Sequence, residues 1–170
     1  WHNFTNGLTG SGERLKLADV SKKYDILNVS FAETDGGDRA VVTFHLDNGI
    51  YASEAQFIED IKTCQARGQK VNISLGGQNG IISVTSAADK VKFVNSVIGI
   101  IEKYGFDGLD IDFEGTSAGG YSPAFDQPNQ QAQYMIDAIR EICDHFGDNF
   151  ILTMAPETAY VQFGYMSSLA

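Results

Sequence analysis

Basic residues are scarce in this 170-residue chain: twelve lysines and arginines stand against twenty-two aspartates and glutamates, for a net charge of −10. An acidic surface of this kind repels nucleic acid and anionic membranes, and a neutral polymer is a compatible partner. Long apolar runs are missing too, and none approaches the roughly 20 residues needed to cross a bilayer. Cysteine is limited to Cys64 and Cys143, neither with the spacing of a metal or redox motif. Each falls on a predicted apolar helix stripe, Cys64 after Phe57 and Ile61, Cys143 after Ile136 and Ile139. They read as small buried thiols rather than a disulfide. No dinucleotide fingerprint occurs: Gly76-Gly77-Gln78-Asn79-Gly80 lacks the required spacing and reads as a tight turn. Neither a cofactor nor a metal is called for.

What is present is one core's worth of hydrophobic residues, 43% of the chain, in a repeating strand-then-helix pattern. Residues 25–32 and 70–75 read as strands, and 40–46 as a short excursion strand after Gly36-Gly37. Ser53 is a candidate N-cap for a helix carrying Phe57, Ile58, Ile61 and Cys64 and ending near Gly68. Ser86 caps a second helix with Val91, Val94, Val97, Ile98 and Ile101, stopped by Gly105. A Gly-, Ser- and Pro-rich loop at 115–128 precedes a helix at 129–146 and a strand at 149–155. Strands and helices alternating at this spacing predict right-handed βαβ units on a parallel sheet. Parallel strands covered on both faces should be almost wholly apolar. Asn28, Asn72, Asp110 and Asp112 break that rule in mid-strand. A closed barrel with its chemistry at the C-terminal mouth has an inward place for such groups, and an open doubly wound sheet does not.

Residues 107–114 read Asp-Gly-Leu-Asp-Ile-Asp-Phe-Glu. Asp110, Asp112 and Glu114 alternate with Leu109, Ile111 and Phe113, which is a strand period. The three carboxyls therefore leave one face, with Cα atoms roughly 6.6 Å apart. An acidic edge strand would not need an apolar alternate face, and Ca²⁺ loops are rich in turns rather than strand-like. Crowded carboxylates on a half-buried strand push at least one proton affinity upward, which makes a usable general acid.

This pattern resembles the active-site strand of glycoside hydrolase family 18, the chitinases and their relatives. The matching residues of Asp-x-x-Asp-x-Asp-x-Glu are Asp107, Asp110, Asp112 and Glu114. The family's Ser-x-Gly-Gly is matched upstream by Ser74-Leu75-Gly76-Gly77, and its next barrel strand by Thr153-Met154-Ala155-Pro156-Glu157. The resemblance covers essentially the whole chain and is closest to the bacterial branch. It implies an α/β fold, the (β/α)8 TIM barrel. The chain, 1–170, then reads as a partial catalytic domain with barrel strands 1 to 5, strands 6 to 8 missing. The family's substrate-binding Tyr of strand 6 and sugar-flooring Trp of strand 8 are not in this sequence. A segment stopping there is expected to be inactive on chitin oligomers and either insoluble or self-associating when expressed alone.

The resemblance also implies the roles. Glu114 is the general acid, and the handling of the substrate is of the substrate-assisted kind, in which the sugar's own acetamido oxygen attacks the anomeric carbon. Asp112 accepts the acetamido N–H, and Asp110, one step deeper, shares a proton with it. Ser74 hydrogen-bonds to the Asp pair or merely fills the barrel. Asp107 reads as structural. Gly77 allows close packing or close substrate approach. Met154, taken to face inward, lines the sugar site or the core. Glu157 binds sugar hydroxyls or is a solvated loop carboxylate. Phe31 stacks on a pyranose or packs inside, and Tyr121, Phe125 and Tyr160 sit in mouth loops. The implied activity is retaining hydrolysis of chitin or chitooligosaccharides by a secreted, monomeric parent protein. Endo-β-N-acetylglucosaminidase action on N-glycans and a non-catalytic chitin-binding lectin are the alternatives.

Overall fold

A computed structural model describes residues 1–3, 14–114, 117 and 130–156. Five strands, β1 (His2–Asn3), β2 (Ile26–Ala32), β3 (Lys70–Gly76), β4 (Gly108–Asp112) and β5 (Ile151–Met154), form one sheet in chain order. Every pairing is parallel. Three helices, α1 (Glu54–Ala66), α2 (Ala87–Tyr104) and α3 (Gln130–Phe146), fill the connections from β2 onward. Sequential parallel order with a helix between each pair of successive strands from β2 to β5 is the arrangement of a (β/α)8 barrel wall.

The helix boundaries follow from their caps. Ser53 Oγ accepts from Gln56 N at 3.3 Å and Ser86 Oγ accepts from Asp89 N at 3.1 Å, each satisfying an N–H that the first turn leaves orphaned. Gly105 closes α2 at φ 75°, a left-handed position that glycine adopts freely. Between the sheet and the helices lies a wholly apolar layer: Leu27, Val29, Val71, Ile73, Leu75, Leu109 and Ile111 from the strands, Phe57, Ile61 and Cys64 from α1. Phe44, Phe57, Tyr104 and Phe106 form an aromatic knot within it, with Phe44 edge-on to Tyr104 at 5.2 Å.

Three readings of the sequence are corrected. Residues 40–46 are not a strand, and only one bridge forms there, Glu33 to Thr43. The neighbouring groups bond elsewhere, Val42 N to Ser96 Oγ and Arg39 O to Ser83 N, so no ladder propagates. On α2 the buried face is Phe93, Val94, Val97, Ile101 and Tyr104, and Val91 is exposed. On α3 it is Met135, Ala138 and Ile142, and Ile136 is exposed, which rotates the buried face by one residue and leaves Cys143 half-buried. Both cysteines are free thiols.

Asp107 fastens the N-terminal end of β4. Its carboxylate takes Lys70 Nζ at 3.0 Å, Gln65 Nε2 at 2.9 Å and Val71 N at 3.0 Å, joining β3, α1 and β4. It lies at the end of the strand away from the mouth. In the full-length protein, Asp107→Ala is expected to cost about 1–3 kcal/mol, since the Val71 N–H loses its acceptor. Calorimetry should register a lower melting temperature while kcat per folded enzyme is unchanged.

Candidate active site

Register decides which residues share the inner face of the wall. Ser30 pairs with Ser74, Ser74 with Asp110, and Asp110 with Thr153, so these four form one row across β2, β3, β4 and β5. One step toward the mouth, Gly76 pairs with Asp112. Asp112 ends β4, and Glu114 follows two residues beyond the strand, both half-buried.

Asp110 is 1% exposed. Its carboxylate accepts from Ser74 Oγ at 2.7 Å, from the Trp1 indole Nε1–H at 2.8 Å and from Thr153 Oγ1 at 2.5 Å. A buried carboxylate is costly unless hydrogen-bonded, and donors from three places in the sheet hold this one in a single orientation. Ser74 was given this role from its motif, whereas Thr153 stood in a matched motif without a role and Trp1 in none. Only the register of β5 against β4 puts Thr153 level with Asp110. Trp1 stands just ahead of a two-residue strand that offers no pattern to read.

Gly77, at φ 73°, lies against Phe31: a Cβ there would come within 2.8 Å of the Phe31 ring. The half-buried Phe31 is thus seated at the mouth on a glycine that no L-residue replaces without moving it. The next ladder bonds, Gly77 N to Asp112 O at 2.8 Å and Ala155 N to Ile111 O at 2.9 Å, fix the end of β4 from both sides. Met154 does not face inward. It pairs with Ile111 on the opposite face and is 62% exposed, and Thr153 has the inward place assigned to it from the sequence. Glu157, Tyr121, Phe125 and Tyr160 lie outside the described residues.

Beside this row, Glu33 is the first residue past β2. Burial, with the nearby Asp35 carboxylate, holds its carboxyl above the usual range. Asp35 is held low by hydrogen bonds from Thr43 and His45. Among the described residues no three His, Cys, Asp or Glu side chains converge where a cation could sit, and no helix is long and apolar enough to cross a membrane.

A parallel barrel wall with Asp110 and Asp112 on β4 and Glu114 two residues beyond it carries its carboxyls toward the C-terminal ends of the strands, where barrel enzymes build their sites. The model of the glycosyl hydrolases family 18 matches residues 2–169, and the chain belongs to that family. It is 43% identical to chitinase Chi52 of Paenibacillus xylanexedens and 43% identical to chitinase D of Niallia circulans, in each case over 98% of this chain and 31% of the relative. The crystal structure of a family 18 chitinase from Chromobacterium violaceum superposes with a TM-score of 0.76 at 40% identity, over 91% of this chain and 39% of that one. The chain thus spans about a third of the length of these curated relatives.

Proposed function

We propose that the protein to which this chain belongs is a chitinase that cleaves β-1,4-linked N-acetylglucosamine with retention, by a substrate-assisted route. The observation that carries the reading is the anchored row on the inner face, with Ser74, Trp1 and Thr153 on Asp110 and with Asp112 and Glu114 stepping out toward the mouth. The relatives at 43% identity, both named chitinases, support the substrate class.

In this reading Glu114 gives its proton to the glycosidic oxygen as the bond to the anomeric carbon breaks and the leaving sugar departs as an alcohol. The acetamido oxygen of the same sugar closes on the anomeric carbon and forms an oxazolinium ion. Asp112 accepts the acetamido N–H and aims the internal nucleophile, with the anchored Asp110 beneath it. Glu114, now a carboxylate, takes a proton from water as the water opens the oxazolinium, restoring the original configuration. Phe31, on its Gly77 seat, offers a ring to a pyranose face. A polymer too large to enter cells places such an enzyme outside them.

The test is turnover by the full-length protein on chitin oligomers against a high-mannose glycopeptide. Release of chitobiose with the glycopeptide intact is the expected result. Cleavage of the glycopeptide core alone would transfer the site to N-glycans, and binding of oligomers without any turnover would make the protein a lectin.

A further inference from the structure

Glu114 stands two residues beyond the last strand residue, so the β ladder does not fix its backbone. Another contact does. Ser117 is 1% exposed, its N–H donates to Glu114 O at 3.2 Å, and its Oγ accepts from Ile82 N at 3.2 Å. Ile82, itself fully buried, lies in the loop between β3 and α2. That loop is tied down in turn. Thr34 Oγ1 donates to Ile81 O at 3.0 Å, Ser83 N to Arg39 O at 2.9 Å, and Gln131 Nε2 to Ser83 Oγ at 3.1 Å. The turn after Glu114 is thereby linked through one buried hydroxyl to the loops after β2 and β3 and to the start of α3.

We propose that Ser117 is a positioning residue for Glu114: its hydroxyl fastens the turn that carries the acid to a loop that three other hydrogen bonds hold still. The inference rests on the general-acid reading of Glu114 above. A hydroxyl in this loop has no catalytic geometry of its own. Its effect is on where the acid stands, and misplacement of a reacting group by an ångström can cost on the order of 100-fold.

The experiment compares two substrates on the full-length enzyme: a chitooligosaccharide, whose leaving alcohol must be protonated, and 2,4-dinitrophenyl chitobioside, whose leaving group needs no proton. Ser117→Ala is expected to lower kcat/KM on the oligosaccharide about 10- to 100-fold and to leave the dinitrophenyl substrate within about threefold. Ser117→Thr, which keeps the hydroxyl, should restore the oligosaccharide rate. Ser117→Cys, with a similar volume and a weak acceptor, should behave like the alanine variant. The ratio of the two constants is independent of the fraction folded. Equal losses on both substrates, or no loss on either, would overturn the inference. Glu114→Gln serves as the reference. If it fails to separate the two substrates, the acid assignment falls and the role of Ser117 with it. If it separates them and the serine variants do not, only Ser117 is wrongly assigned.

Discussion

Glu114→Gln in the full-length protein is expected to abolish turnover of chitin oligomers while leaving them bound. The substitution keeps the side chain's length and both of its polar ends and removes the one acidic proton. General acid catalysis contributes roughly 10²- to 10⁴-fold, and kcat should fall by at least that factor. In the proposed reading binding is set by the mouth as a whole, including the Phe31 ring against Gly77 and the hydrogen-bonded row beneath it, so the dissociation constant of a chitooligosaccharide should change little. Steady-state kinetics paired with calorimetric titration separates the two quantities. A variant that retained more than a tenth of its activity would rule Glu114 out as the acid, and the proton would have to come from elsewhere.

The architecture was legible because its signals are local and repeated. Ser53 and Ser86 announce their helices, Gly105 ends one, and the two-residue period of 108–112 separates Leu109 and Ile111 from Asp110 and Asp112 without ambiguity. Where two faces of an element are similarly apolar the signal failed. On α2, Val91 and Phe93 are both plausible inward residues, and only packing into the core, with α1 and α3 alongside, selects Phe93. On β5, Ile151, Leu152 and Met154 offer apolar side chains to both faces, so hydrophobicity carries no parity. The ladder to β4 decides, and it places Thr153 level with Asp110. Cross-strand partners were harder still. That Trp1 reaches Asp110 across 109 positions of sequence follows from the assembled sheet, not from any local pattern. Ser117 lies in a stretch of Gly and Ser where composition says only that a loop is present.

A substrate stripped of its acetamido group is expected to be inert, and a chitobiose thiazoline, which mimics the oxazolinium ion, is expected to inhibit competitively. The carboxyls on β4 argue for this. A retaining enzyme with its own nucleophile needs a second carboxylate about 5–5.5 Å from the acid and across the sugar from it. Asp110 cannot serve, because it is 1% exposed and accepts from Ser74, Trp1 and Thr153. Asp112 is the last residue of β4, only two residues before Glu114, and in the proposed reading it approaches the sugar from the same side. In the proposed reading the nucleophile is the substrate's own amide oxygen, and well-oriented internal groups reach effective molarities of about 10⁵–10⁸ M. Losing it should put the rate on a glucose analogue below detection. Asp112→Ala, which removes the acceptor that aims the amide, should weaken thiazoline inhibition and kcat together while the protein stays folded. Mass spectrometry of the quenched enzyme should find no glycosyl ester on any aspartate or glutamate. Recovery of such an ester, or hydrolysis of the glucose analogue at a rate within a hundredfold of the natural substrate, would replace the internal nucleophile with one supplied by the protein.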